Sequence, residues 1–233
     1  MSNRGKIYKQ AATAYDKREP VTLEAAVRMM QSFPKRKFDE SVELSINLGI
    51  DGRQADQSIR GTIMLPHGTG KEVRVVVITQ GELLGEATDA GADFVGGSDL
   101  VEKIQNGWLD FDLVIASPDM MGQVGKLGRI LGPRGMMPNP KTGTVTRAIG
   151  QAVRESKAGR IEFRADSKSG NNAQAPIGKL SFSESDLLAN ARVFVEAILR
   201  SRPASTKGQF IRKAVLSSTM GPGIRIEPAA ITL

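Results

Sequence analysis

The apolar positions of this chain change their period twice along its length, and the changes predict two kinds of layer. Leu23, Val27 and Met30 recur at spacings of four and three. That predicts a helix from Thr22 to Phe33, N-capped by Thr22 and stopped by Pro34. From Ser41 to Leu48 the pattern alternates: Val42, Leu44, Ile46 and Leu48 point one way, and Ser41, Glu43, Ser45 and Asn47 the other. This is a strand with one covered face, as in an antiparallel or mixed sheet. After the Pro/Gly segment Pro66-His67-Gly68-Thr69-Gly70 the strand type changes. Val73 to Thr79 is nearly continuous β-branched sequence interrupted by Arg74, and Phe111 to Ala116 has the same apolar character. Strands of this kind are covered on both faces. Between them, Glu82 to Ala90 and Asp99 to Asn106 read as helices, with a short strand at Phe94-Val95. Beyond a long loop, Gly132 to Gly143, a helix is expected from Ile149 to Lys157.

From Arg160 the half-covered alternation returns. Ile161, Phe163 and Ala165 face one way, and Arg160, Glu162, Arg164 and Asp166 the other. Ile177 to Phe182 reads as another strand, Ser183 caps a helix running to about Arg202, and Phe210 to Thr219 is the last strand. The order half-covered, fully covered, half-covered is most simply a fold with two domains, one α/β and one α+β. A discontinuous α+β terminal domain, residues 1–66 plus 160–233, is interrupted by an inserted Rossmann-like wound α/β domain, residues 67–159. The adjacent crossings near Pro66 and Gly159 would form a hinge.

Charge supports that division. The net charge is +7 and the pI about 9.8. Residues 1–66 hold 11 basic and 8 acidic residues, residues 67–159 hold 10 and 11, and residues 160–233 hold 11 and 6. The terminal domain therefore carries +8 and the inserted domain −1, so a polyanion is expected on the former. Nucleic acid is the commonest such partner, and an acidic membrane surface is the alternative. No apolar run approaches the roughly 20 residues needed to span a bilayer. The first ten residues are polar and basic, unlike a secretory signal. There are no cysteines and one histidine, His67. Disulfides, thiolate metal sites, thiol catalysis and His-pair metal sites are thereby excluded, and no cofactor is expected.

Individual motifs are less decisive. Lys35-Arg36-Lys37-Phe38 could neutralise phosphates while Phe38 stacks, or Phe38 could be a core residue beside a solvated run. Ser217-Ser218-Thr219-Met220-Gly221-Pro222-Gly223 joins hydroxyls to a glycine turn suited to ribose and phosphate. On pattern alone an ordinary strand exit is the better reading. His67-Gly68-Thr69-Gly70-Lys71 lacks the first glycine of a phosphate-binding loop and precedes a strand. Gln80-Gly81-Glu82-Leu83-Leu84-Gly85 is no dinucleotide fingerprint. The Gly132 to Lys141 loop, with Met136 and Met137, is either a contact surface or a structural closure, with contact slightly favoured. The carboxylate pairs Asp39/Glu40 and Asp110/Asp112 lack a partner of a second kind and read as solvated or capping acids, so no catalytic constellation is found.

Taken together, several segments resemble one family. They are Lys37-Phe38-Asp39-Glu40-Ser41-Val42-Glu43, Leu48-Gly49-Ile50-Asp51, Asp56-Gln57-Ser58-Ile59-Arg60-Gly61, Leu65 to Lys71, Gly91 to Gly97, Phe111 to Asp119, Gly132 to Pro140, Lys157 to Ile161 and Thr219-Met220-Gly221. The family is the L-one proteins of the large ribosomal subunit, in bacterial form, and the resemblance covers nearly the whole chain in one order. It implies a non-enzymatic, cytoplasmic ribosomal protein, present as a monomer within the large subunit. Its expected partner is large-subunit ribosomal RNA at the base of the mobile stalk beside the exit site, where it assists release of deacylated tRNA. It also implies repression of translation from the protein's own messenger RNA. The family's RNA contacts fall on Lys37, Phe38, Ser41, Ser217, Thr219, Met220 and Gly221, with Arg164, Asp166 and Lys168 added. Many relatives carry a His within the segment that here reads Asn171 to Pro176, so Gln174 must substitute for it or that contact is lost.

Overall fold

A computed structural model describes residues 5–51, 54, 57, 59–166 and 171–231. The chain divides into two compact units, Met1–Gly70 with Ile161–Leu233, and Lys71–Arg160. The first stretch forms α1 (Lys6–Thr13), α2 (Leu23–Ser32), β1 (Ser41–Leu48) and β2 (Arg60–Met64). The middle forms β3 (Val75–Ile78), α3 (Leu83–Asp89), β4 (Phe94–Gly96), α4 (Ser98–Gln105), β5 (Leu113–Ala116), α5 (Met121–Val124), α6 (Gly128–Leu131) and α7 (Ile149–Lys157). The last stretch forms β6 (Arg160–Asp166), β7 (Asn172–Lys179), α8 (Glu184–Arg200), β8 (Ile211–Ser218), β9 (Ile224–Ile226) and α9 (Pro228–Ile231).

The first unit is built on one six-stranded sheet in the order β2-β6-β7-β1-β8-β9. Its central strand, β1, pairs antiparallel with β7 on one side and β8 on the other. Val42, Leu44, Ile46 and Leu48 are fully buried, together with Leu23, Val27 and Met30 of α2 and Leu187, Phe194 and Ile198 of α8. Each such side chain stabilises the fold by about 1.5–3 kcal/mol. The two helices thus cover one face of the sheet. Both start on hydroxyl caps: Thr22 Oγ1 accepts the Ala25 N–H at 3.3 Å, and Ser183 Oγ accepts the Asp186 N–H at 3.2 Å.

The second unit holds the parallel sheet β4-β3-β5. Alternate residues of β3 enter two separate cores. Val76 and Ile78 pack with Leu100, Ile104, Val124 and Leu127, whereas Val75 and Val77 pack with Ala87, Ile149 and Val153. That double coverage is why β3 is apolar at every position.

Several sequence expectations need correction. The first crossing falls between Gly70 and Lys71, not at Pro66, because buried Asn190 of α8 ties the segment to the first unit. Asn190 Oδ1 accepts the His67 N–H at 3.1 Å, and its Nδ2 donates to Gly68 O at 2.9 Å and Ile177 O at 2.8 Å. With the second crossing after Arg160, the first unit has 21 basic and 14 acidic residues, and the second has 11 of each. The strand expected over Ile177 to Phe182 is Asn172–Lys179. Val42 pairs with Gly178 and Glu43 with Pro176, leaving Ile177 as the extra residue of a bulge. A bulge accommodates Pro176, which has no N–H to give the ladder. The expected strand at Phe111 begins at Leu113. Helix α1 and strands β2 and β9 were not legible: α1 buries only Ala11, β2 only Ile63, and β9 is three residues long.

Candidate nucleic-acid interface

Successive side chains of a strand point to opposite faces. Because α2 and α8 cover one face, Ser41, Glu43, Ser45 and Asn47 all lie on the other. Register then fixes their neighbours. Ser41 pairs with Lys179, Glu43 with Pro176 and Ser217, Ser45 with Gln174 and Val215, and Asn47 with Asn172 and Lys213. The face is cross-linked by side chains. Lys179 Nζ donates to Ser41 Oγ at 2.9 Å, Ser45 Oγ to Gln174 Oε1 at 3.4 Å, and Asn47 Nδ2 to Asn172 Oδ1 at 2.7 Å. Ser45, Asn47, Asn172, Gln174, Lys213 and Val215 line a shallow concavity of about 330 Å³.

At the β1/β8 end of this face the predicted residues converge. Thr219 N–H donates to Ser41 O at 3.0 Å. Its Oγ1 accepts the Ser41 N–H at 3.0 Å and donates to Ser41 O at 3.3 Å. The chain then turns, with Gly221 N–H donating to Ser218 O at 3.1 Å. Phe38 and Met220 are 53% and 51% exposed, and Lys37 is exposed beside Phe38. The core reading of Phe38 is therefore overturned; buried Phe33, stacked on Tyr15, takes the core position nearby.

Lys37, Phe38, Ser41, Ser217, Thr219, Met220 and Gly221 thus form one group. Arg164 and Asp166 do not join it. Asp166 pairs with Asn172, which pairs with Asn47 at the other end of β1. Ser41 and Asn47 are six positions apart, about 20 Å along a strand. Arg164 and Asp166 are exposed on the same polar face but at its far end. Lys168 lies outside the described residues.

Two residues at the site escaped the sequence reading. Lys179 reaches the polar face only through the bulge at Ile177, which puts Gly178 opposite Val42 and Lys179 opposite Ser41. Glu40 reads in sequence as a solvated or capping acid, yet it is 3% exposed and bonded to Ser218 and Met220. A signal was present: Glu40 stands two before Val42, on the covered side, where a carboxylate is costly unless partnered. Asp39 caps a turn, accepting from Ser181 N–H at 3.1 Å and Ser181 Oγ at 2.7 Å.

Elsewhere, Asp110 and Asp112 do have partners of a second kind. Arg74 bonds both, and Lys71 Nζ donates to Asp112 at 2.7 Å, which with Arg74 holds the Asp112 carboxyl down at about 2. In the Gly132 to Lys141 loop, Met136 and Met137 pack against the core of the second unit and Pro138 is buried, so these side chains close the unit and do not form a contact surface. Among the described residues no helix is long and apolar enough to cross a membrane, and no His/Cys/Asp/Glu group could hold a metal.

Compared with known families, residues 30–222 match the model of the ribosomal protein L1p/L10e family. The matched span includes Phe38, Ser41, Thr219 and Met220.

Proposed function

This chain belongs to the ribosomal protein L1p/L10e family, and on that premise we propose that the polar sheet face of its first unit seats on ribosomal RNA of the mobile stalk beside the exit site. Membership makes it a large-subunit ribosomal protein that binds ribosomal RNA, works with the ribosome in the cytoplasm and is not an enzyme. The observation that supports the finer reading is the meeting of Ser41 and Thr219 on a polar face, with exposed Phe38 and Met220 close to them in the chain, in the unit that holds the whole net charge of +7.

The chemistry follows from those groups. Phe38 and Met220 offer apolar surface to bases and riboses. Thr219 Oγ1, already accepting one bond and donating another, has a lone pair left for a ribose 2′-OH. Gly221 lets backbone approach closely. Lys37 and Lys179 neutralise phosphates, and Arg164 and Asp166 extend the contact along the face. The test is a filter-binding titration of the full chain against a stalk RNA fragment and an unrelated duplex over a salt series. Preference for the stalk fragment and a linear fall of log affinity with log salt are expected. Equal affinity for both RNAs, or a flat salt response, refutes the reading.

Assistance to departing tRNA belongs in the same proposal and rests on the second unit. That unit is neutral overall, but residues 120–154 hold six basic residues and no acidic one. Lys126, Arg129, Arg134, Lys141 and Arg147 are all exposed. Such a surface suits a second polyanion. Reversing Arg129, Arg134 and Lys141 to Glu should slow tRNA release from the exit site while stalk RNA affinity holds. Repression of the protein's own messenger completes the reading: the messenger mimics the stalk and should compete with it for the Phe38–Met220 surface.

A further inference from the structure

Beneath the Phe38–Met220 surface lies a buried carboxylate. Glu40 Oε2 accepts two hydrogen bonds, from Ser218 Oγ at 2.7 Å and from the Met220 N–H at 2.9 Å. Its Oε1 stands 3.9 Å from Arg36 Nε, and its carbonyl accepts the Leu180 N–H at 2.8 Å. One residue therefore joins the arm that bears Phe38, the turn that bears Met220, and the chain leaving β7. The turn is packed tightly around this contact: a Cβ on Gly221 would meet Ser218 Oγ at 2.3 Å.

A negative charge is a poor choice under a polyanion site if stability were its only task. It is costly to bury and it repels phosphate. What a carboxylate oxygen does well is accept two strong bonds at one point, one from a side chain and one from the backbone. We propose that Glu40 is a positioning residue that fixes Met220 relative to Phe38, so that the two apolar side chains meet RNA as a rigid pair. This rests on the reading that the surface binds stalk RNA. Its consequence is selectivity. A preorganised pair lowers the ordering cost for the RNA whose shape it fits, whereas charge-driven binding of any RNA does not depend on it.

The experiment uses the full chain with Glu40→Ala, Glu40→Gln and Ser218→Ala. Each is titrated against the stalk fragment and an unrelated duplex at one salt concentration, with unfolding curves to establish the folded fraction. Glu40→Ala should weaken stalk binding on the order of ten- to a hundredfold and leave the duplex unchanged or slightly tighter. Glu40→Gln, whose amide oxygen accepts the same two bonds, should stay within roughly threefold of wild type. Ser218→Ala keeps the charge, removes one of the two bonds, and should lose roughly three- to tenfold; it carries the test if Glu40→Ala does not fold. An unchanged stalk-to-duplex ratio in Glu40→Ala or Ser218→Ala overturns the proposal. So does equal tightening of both RNAs in Glu40→Ala and Glu40→Gln, which would make Glu40 a bystander charge. A wild type without preference for the stalk fragment fails the underlying reading instead, and is recognised before any variant is compared.

Discussion

Replacing Thr219 by Val separates the hydroxyl from everything else the residue does. Val keeps the branched shape, so no cavity opens, and the Thr219 N–H bond to Ser41 O at 3.0 Å is untouched. What disappears is Oγ1, with its bonds to the Ser41 N–H at 3.0 Å and Ser41 O at 3.3 Å. Both residues lie at the surface of the free protein, so water replaces the lost partner and the fold should lose only about 0.5–1.5 kcal/mol. In the RNA complex that water is displaced. The Ser41 N–H is then buried without a partner, and the contact made by the Thr219 lone pair is lost as well. Together these cost about 1–3 kcal/mol of affinity, roughly 5- to 150-fold. Affinity should therefore fall further than stability. Urea unfolding gives the second quantity and filter binding at fixed salt gives the first, with Thr219→Ser expected to recover most of the loss. If folded Thr219→Val binds the stalk fragment within twofold of wild type, the hydroxyl has no role at the interface. If Thr219→Ser falls as far as Val, the methyl group is the cause and the argument from hydrogen bonding is wrong.

Three further outcomes are expected. Phe38→Ala should change stability by less than about 0.5 kcal/mol, since the ring is exposed, yet weaken stalk binding by about 1–3 kcal/mol if the ring stacks on a base; unfolding and binding curves on one preparation decide it. Asn190→Ala should destabilise the first unit by about 2–3 kcal/mol, because the buried Ile177 carbonyl, the partly buried Gly68 carbonyl and the His67 N–H lose their partner together; a drop under about 1 kcal/mol in urea unfolding contradicts that. Acid should weaken the second unit through Asp112. Its folded-state carboxyl is held at about 2, mainly by Lys71, below its ordinary 3.8, so the stabilisation is present above pH ~4 and is lost as pH falls through 2. Lys71 is largely exposed, so the loss is on the order of 1 kcal/mol after solvent screening. Asp112→Asn should remove that part of the pH dependence in thermal melts between pH 2 and pH 5.

Glu40 and Lys179 show where sequence reading stops. Periodicity by itself determined that β1 has one covered face, because a strand alternates and Val42, Leu44, Ile46 and Leu48 leave no other arrangement. It likewise determined the full burial of β3, the caps of α2 and α8, and the basic character of the terminal segments. These are local properties, set by spacing and side-chain type. It could not phase β7, where small alanines and Pro176 hide the alternation and a bulge at Ile177 resets it. It also could not choose between core and surface for Phe38, since a single aromatic after a basic run has no period. Tertiary structure decided those points. Pairing of β1 with both β7 and β8 brings residues some 140 and 180 positions away onto Ser41, as Lys179 Nζ and Thr219 Oγ1. It also gives a carboxylate that looked unpartnered in sequence two donors at Ser218 and Met220. Long-range register is a property of how strands meet, so the hydrogen bonds that build the interface exist only once the sheet has formed.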